Sequence, residues 1–265
     1  MQSQLKDKWV LITGASSGFG AAAAKAFGAE GARLLLGARR LDRLEQVVRV
    51  AREAGAREAH CRALDVCQTP SVEAFMAWAK ERLGTRNADH GTLHVLVNNA
   101  GAALGLDPVA EGKDADWEGM FQTNVLGLLR MTRAALPLLP HHAGSSILNI
   151  GSIAGREAYE GGSAYCAAKA AVLRISRTLR LELCGTGIRV SCIDPGMAET
   201  EFSLVRFQGD VARAKRVYAG TQPLTAEDVA EVIVWVAGRP PHVCVDEVLV
   251  KCTDQAAVHK VYRRK

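Results

Sequence analysis

At 265 residues, with a net charge of +5, 48% hydrophobic and 23% charged residues, the chain has globular composition and enough apolar side chains for one large core. Seven cysteines, an odd number with no CxxC pair, argue against a disulfide framework and a zinc site, and suggest reduced thiols in the cytoplasm. Met1–Lys8 lacks the apolar run of a signal peptide, no stretch approaches the roughly twenty apolar residues of a membrane span, and the basic residues of Arg39–Arg52 and the Arg263-Arg264-Lys265 tail lack interleaved aromatics, which makes nucleic acid a poor partner.

Trp9-Val10-Leu11-Ile12 reads as a short apolar strand running into Thr13-Gly14-Ala15-Ser16-Ser17-Gly18-Phe19-Gly20, with an alanine-rich helix to about Glu30. Strand, glycine turn and helix in that order make a phosphate cradle. The glycines let the backbone turn and approach a pyrophosphate, and the helix start offers free N–H groups. Gly14, Ser16, Ser17, Gly18, Phe19 and Gly20 are the expected cofactor contacts, a ligand-free tight turn being the plainer alternative. Arg33–Gly37 is a second strand ending in Ala38-Arg39-Arg40. A carboxylate there would hold the ribose 2′-OH of NAD(H); two arginines suit a 2′-phosphate, so the expected cofactor is NADP(H). Alternatively, Arg39 and Arg40 merely open the next helix, Leu41 to about Ala54, with Leu44, Val47 and Val48 inward.

Ala59–Leu64 forms a third strand ending at Asp65-Val66, where a carboxylate can accept from an adenine amino group or cap the helix that Thr69-Pro70 opens. Leu93–Val97 is a buried strand that ends in Asn98-Asn99-Ala100-Gly101, with Asn99, Ala100 and Gly101 expected on the ligand side. Trp117 to about Leu139 reads as one long helix with Phe121, Val125, Leu128 and Leu129 at helical spacing. Asn124 sits in its middle, where propensity would not put it. Ser146–Gly151 is a fifth strand that delivers Ser152. The helix starting at Ser163 then puts Tyr165 and Lys169 on one face. An ammonium beside a phenol lowers its pKa from about 10, and such a tyrosine can serve as acid or base; an ordinary surface pair is the alternative. Ile188–Ile193 is a sixth strand, followed by Asp194-Pro195-Gly196. Residues 197–215, irregular and then charged, read as a substrate lid. A helix opened by Thr225 runs to Ala237, and Val245–Val250 is the last strand. This alternation predicts one α/β domain over residues 1–265, a Rossmann-type doubly wound parallel sheet of about seven strands with helices on both faces.

Thr13-Gly14-xxx-Gly18-x-Gly20, Asn98-Asn99-Ala100-Gly101, Asn124, Ser152, Tyr165-xxx-Lys169 and Pro195-Gly196 together resemble the short-chain dehydrogenase/reductase family, in order and in spacing. The resemblance implies a catalytic set of Asn124, Ser152, Tyr165 and Lys169, in which Tyr165 is the acid/base and Ser152 holds the substrate oxygen. It also implies that Lys169 binds the nicotinamide ribose and lowers the tyrosine pKa, that Asn124 holds a relay water, and that Pro195, Gly196 and Thr200 lie beside the nicotinamide.

Gly151–Arg156, Tyr159-x-Gly161-Gly162 and the stretch from Glu201 to Asp210 are further similar to the NADP-dependent 3-hydroxy acid (serine) dehydrogenases of that family, which are cytoplasmic homotetramers. That likeness implies hydride transfer between NADP(H) and the 3-hydroxyl or 3-oxo carbon of a small acid such as serine or 3-hydroxyisobutyrate. Arg156 or Arg206 would then pair with the carboxylate, each being otherwise a surface or inter-subunit salt bridge. A homotetramer is expected, with Leu126, Leu129, Val172, Leu173, Leu179 and Leu183 covering the sheet or a neighbour, and no metal, nucleic acid or membrane partner. The competing readings are an NADPH-dependent reductase of a bulkier aldehyde or ketone and a non-catalytic NADP-binding regulatory protein.

Overall fold

The computed structural model describes residues 4–84, 92–142 and 144–264, so Met1, Gln2 and Ser3 of the N-terminal stretch and Lys265 of the basic tail lie outside the described residues. In chain order the elements are β1 (Trp9–Thr13), α1 (Gly18–Ala29), β2 (Arg33–Ala38), α2 (Leu41–Ala54), β3 (Glu58–Ala63), α3 (Thr69–Leu83), β4 (Val95–Asn98), α4 (Asp114–Phe121) and α5 (Gly127–Ala135). They continue with β5 (Ser146–Ile150), α6 (Ser163–Glu182), β6 (Arg189–Pro195), α7 (Phe202–Arg206), α8 (Val211–Tyr218), α9 (Ala226–Ala237) and β7 (Glu247–Val250). The strands pair in parallel in the order β3-β2-β1-β4-β5-β6-β7.

β1 shows why the sheet is covered on both faces. All five of its residues are buried, and alternate side chains point to opposite sides. Val10 and Ile12 join Leu34 and Leu36 under Phe27, Leu44 and Ile233 of α1, α2 and α9. Leu11 joins Leu35, Leu96 and Ile147 under Phe75, Met131 and Leu179 of α3, α5 and α6. Strand order reverses at β1, whose neighbours are β2 on one side and β4 on the other, and this leaves a crevice beyond their C-terminal ends.

The α1–α2 contact is close enough to make a stability prediction. A Cβ on Gly28 would lie 2.5 Å from the Ala51 carbonyl oxygen, a backbone atom that cannot rotate away. Gly28→Ala is therefore expected to cost about 1–3 kcal/mol through overpacking and to lower Tm by several degrees in a thermal melt. An unchanged Tm would mean that the two helices part freely.

Two sequence expectations are corrected. The helix read as continuous over Trp117–Leu139 is interrupted by a π turn at Gln122–Leu126, and a 3-10 turn at Leu136–Leu138 ends it. The cause lies in side chains that compete for preceding-turn carbonyls: Thr123 Oγ1 donates to Gly119 O at 2.9 Å, and Asn124 Nδ2 to Met120 O at 2.8 Å. Of the apolar positions on this rod, Leu128 is buried, whereas Phe121, Leu126 and Leu129 are exposed. Residues 197–215, expected to be an irregular lid, contain α7 and the start of α8. Asp210 caps α8 by accepting from Arg213 N at 2.9 Å. Among the described residues no helix is long and apolar enough to cross a membrane, and no three His, Cys, Asp or Glu side chains are grouped to hold a metal.

Candidate active site

The strand ends, the start of α1 and the segment that follows β6 surround a cavity of about 670 Å³. On its floor the turn after β1 is built from glycine for steric reasons. Gly14 has φ +65°, and a Cβ there would lie 2.8 Å from Ala100 Cα; a Cβ on Gly20 would lie 2.5 Å from Asn99 Nδ2. Asn99 pins this turn, its Nδ2 donating to Thr13 O at 2.9 Å and Gly14 O at 3.1 Å, while Thr13 Oγ1 accepts from the N–H groups of Asn99 and Ala100 at 3.0 Å each. Ser17, the N-cap of α1, makes no side-chain cap, so the first-turn N–H groups and the dipole of α1 are left for an anion. A bare backbone, an uncapped helix start and Gly18 and Phe19 in the cavity wall fit a dinucleotide pyrophosphate.

At the end of β2, Arg39 is exposed in the cavity wall. Arg40 is engaged: Nη2 donates to Ser17 Oγ at 2.7 Å and Ser16 Oγ at 3.3 Å, and Nη1 to Glu201 Oε2 at 2.9 Å. Arg43, on the first turn of α2, also donates to Glu201, and the two guanidiniums, Arg43 first, hold the Glu201 carboxyl below its ordinary pKa. The Glu201 carboxylate thus stands against two arginines, one of which also donates to two serine hydroxyls, and the same groups equally fit a phosphate. Sequence reading missed Arg43 and Glu201. The signals available were the i, i+3 spacing from Arg40 and the place of Glu201 beside Thr200.

Asp65 does not cap α3, whose N-cap position is Gln68; its Oδ1 accepts from Cys67 N at 3.0 Å and, with Val66, it lines the cavity. Thr200 packs on the glycine turn, 3.6 Å from the position a Gly18 Cβ would take. Pro195 and Gly196 lead from β6 into the segment that carries α7 and α8. There Gln255, a residue the sequence did not single out, accepts from Met197 N at 2.7 Å.

Tyr165, Lys169, Ser152 and Asn124 meet on the far side of the cavity, all buried. Ser152 stands near enough to the Tyr165 hydroxyl to oppose the rise of its pKa, and Ser152 Oγ accepts from Ala154 N at 3.1 Å. Lys169 Nζ donates to Ile150 O at 2.9 Å and stands 5.9 Å from the Tyr165 ring centre. Asn124 Nδ2 donates to Met120 O and Ala102 O, while its Oδ1 is buried without a partner. That orphan oxygen and Lys169 Nζ open on the same space, lying 2.8 Å and 3.4 Å from where a Gly101 Cβ would be.

The expected lowering of the phenol pKa by its lysine is corrected. Burial dominates in this form, pushing the Tyr165 phenol well above its ordinary value against the smaller opposing effect of Ser152. Burial likewise lowers the Lys169 ammonium to about 8.

The two substrate arginines part company. Arg156 turns away from the cavity: its Nε donates to Asp194 Oδ2 at 2.7 Å and its Nη2 to Glu247 Oε2 at 2.7 Å, so the salt-bridge alternative holds for it. Arg206 lies in the cavity wall, its guanidinium 5.2 Å from the Tyr165 ring centre and 5.5 and 5.6 Å from those of Tyr159 and Phe202. It donates to the Tyr159 hydroxyl, and its Nε is buried with no partner.

The sequence model of the family described as short chain dehydrogenase matches residues 8–209. An NADP-dependent 3-hydroxy acid dehydrogenase of Schizosaccharomyces pombe is 41% identical over 264 residues, covering 99% of each chain. A sulfoacetaldehyde reductase of Chromohalobacter salexigens is 45% identical over 248 residues, 93% of this chain and 94% of its own. Among solved structures, the closed form of serine dehydrogenase complexed with NADP+ superposes with a TM-score of 0.85 at 37% identity, covering 97% of this chain and 100% of that one.

Proposed function

Because the chain belongs to the short-chain dehydrogenase family, we propose that it is an NADP(H)-dependent oxidoreductase acting on the hydroxyl- or oxo-bearing carbon of a small 3-hydroxy acid, such as serine or 3-hydroxyisobutyrate. The observation that carries the substrate class is Arg206, a cation 5.2 Å from the Tyr165 ring with an unpartnered buried N–H. In a 3-hydroxy acid two C–C bonds separate the reacting carbon from the carboxyl carbon, so the anion's partner must stand about this close to the phenol. A neutral, bulkier carbonyl compound would leave that donor unsatisfied. Arg39 and Arg40, with Ser16 and Ser17, would hold the 2′-phosphate, and the glycine turn the pyrophosphate.

The bound cofactor supplies hydride chemistry, and the side chains manage the proton. Tyr165 gives its proton to the substrate oxygen in reduction and takes it back in oxidation, while Ser152 Oγ hydrogen-bonds the same oxygen as charge develops on it. Lys169 and the free Asn124 Oδ1 have room and polarity for one water between them, an exit for the proton toward solvent. A second reading, favoured by the 45% identical relative, is a two-carbon aldehyde bearing a sulfonate. There too the anion sits two bonds from the reacting carbon and meets the same arginine. Exposed Phe121, Leu126 and Leu129 support an assembly of several copies, for which a cytoplasmic homotetramer is our reading.

The test is initial rates of NADP+ and NAD+ reduction with serine, 3-hydroxyisobutyrate, isethionate and a neutral secondary alcohol, on wild type and Arg206→Ala. Turnover of the anionic substrates with NADP+, falling by about 10-fold or more in the variant while the neutral alcohol is spared, supports the reading. Turnover of the neutral alcohol alone would overturn the substrate class. A preference for NAD+ would overturn the role of the arginines at the end of β2.

A further inference from the structure

Asp194 is the most deeply buried carboxylate near the candidate site, only 1% exposed, and it belongs to neither the cofactor contacts nor the catalytic set. It is the next-to-last residue of β6, and its side chain reaches under the end of β5. Oδ1 accepts from the Ser152 main-chain N–H at 3.1 Å and from the Cys192 thiol at 3.2 Å, and Oδ2 accepts from Arg156 Nε at 2.7 Å. The fit beneath the serine is tight. A Cβ on Gly151 would stand 1.8 Å from Asp194 Oδ1, so only glycine before Ser152 admits the carboxylate.

Arg156 is itself held. It donates to Glu247 of β7, which also accepts from Arg177 Nε at 2.6 Å. A buried ion is tolerated when its partner and hydrogen bonds are complete, and Asp194 has both. The same carboxylate and the Cys192 thiol face Lys169, where Asp194's charge opposes the loss of the lysine proton that burial promotes.

We propose that Asp194 is a positioning residue for the reaction, fixing the Ser152 main chain from beneath and held in turn by Arg156. The proposal rests on the reading of Ser152 as the residue that holds the substrate oxygen. An error of about 1 Å in such a group costs up to about a hundredfold in rate with little change in folding. The pair Arg156 and Asp194 therefore serves the site without touching substrate.

The experiment uses the full chain and the fastest alcohol found among the four tested above, with three variants. Asp194→Asn keeps an acceptor for Ser152 but sets an amide donor against Arg156. Asp194→Asn with Arg156→Gln restores a matched amide pair, and Ser152→Ala probes the serine itself. Expected for Asp194→Asn are a kcat at least 10-fold lower, NADPH binding by fluorescence within twofold of wild type, and faster amide exchange in residues 151–155. The double variant should recover several-fold of the lost kcat. A kcat within twofold of wild type in Asp194→Asn, no faster exchange, or no recovery in the double variant would overturn the proposal. Ser152→Ala separates the two readings. A wild-type rate there removes the role of Ser152, and the positioning proposal with it, whereas a slow Ser152→Ala beside a fast Asp194→Asn overturns the positioning alone.

Discussion

Tyr165→Phe is expected to lower kcat by about 10²–10⁴-fold, the range for loss of a general acid or base, with cofactor binding and Tm close to wild type. The change is confined to one oxygen. The Tyr165 ring packs 5.6 Å from Phe202 and lies under Arg206, contacts a phenylalanine retains, and Ser152 Oγ keeps its bond from Ala154 N. What is lost is the hydroxyl that lies beside Ser152 at the head of α6. Because burial raises the phenol pKa, Tyr165 enters the reaction protonated at neutral pH, as an acid ready for the reducing direction. In the oxidising direction the phenol must first lose that proton, so the wild-type oxidation rate should climb with pH through the alkaline range while the reduction rate does not. The phenylalanine variant should lose that slope. A variant within tenfold of wild type, or one that keeps the slope, would mean that another group moves the proton.

Much of this site was legible because its signals are local. The glycine turn follows an apolar strand within a dozen residues, and the helical spacing of Tyr165 and Lys169 suffices to put them on one face. The doubly wound sheet was legible for a similar reason: strands buried on both faces read as continuous apolar runs, as in Trp9–Ile12. What escaped depended on partners remote in sequence. Arg156 and Arg206 look alike in the chain, and the first is diverted by Asp194 and Glu247, 38 and 91 residues away. Glu201 meets Arg43 across 158 residues. The break at Asn124 is local in its bonds, but spacing does not show that Thr123 and Asn124 turn back on the carbonyls of Gly119 and Met120. The phenol pKa was misjudged because i, i+4 spacing reveals a charge but not burial, and burial is the larger effect here. Helices α7 and α8 were too short for periodicity to show.

Lys169→Met is expected to do two opposite things: cut kcat by about 10²–10³-fold and stabilise the cofactor-free protein at neutral pH. The rate falls because the ammonium beside Tyr165 and the donor next to Asn124 Oδ1 both disappear. The stability gain follows from the sign of the shift. Burial lowers the Lys169 pKa from 10.5 to about 8, so below pH 8 both folded and unfolded chains carry the proton and the folded one bears the cost of a buried charge. Between pH 8 and 10.5 the unfolded chain binds more protons than the folded one, and wild-type stability gains from this group as pH rises. At about 1.4 kcal/mol per pKa unit the shift corresponds to on the order of 3 kcal/mol, offset in the variant by the lost bond to Ile150 O, worth about 1 kcal/mol. Cys192, raised to about 12, and Tyr165 act in the opposite sense at higher pH, so the readout is the difference between variant and wild type. Urea unfolding of both proteins at pH 7 and pH 9.5 measures it: the variant should lead at pH 7 and its lead should shrink at pH 9.5. A difference that is flat or widens with pH would mean that Lys169 carries no buried charge, and with it would go the argument that stability is given up here to keep a cation beside the phenol.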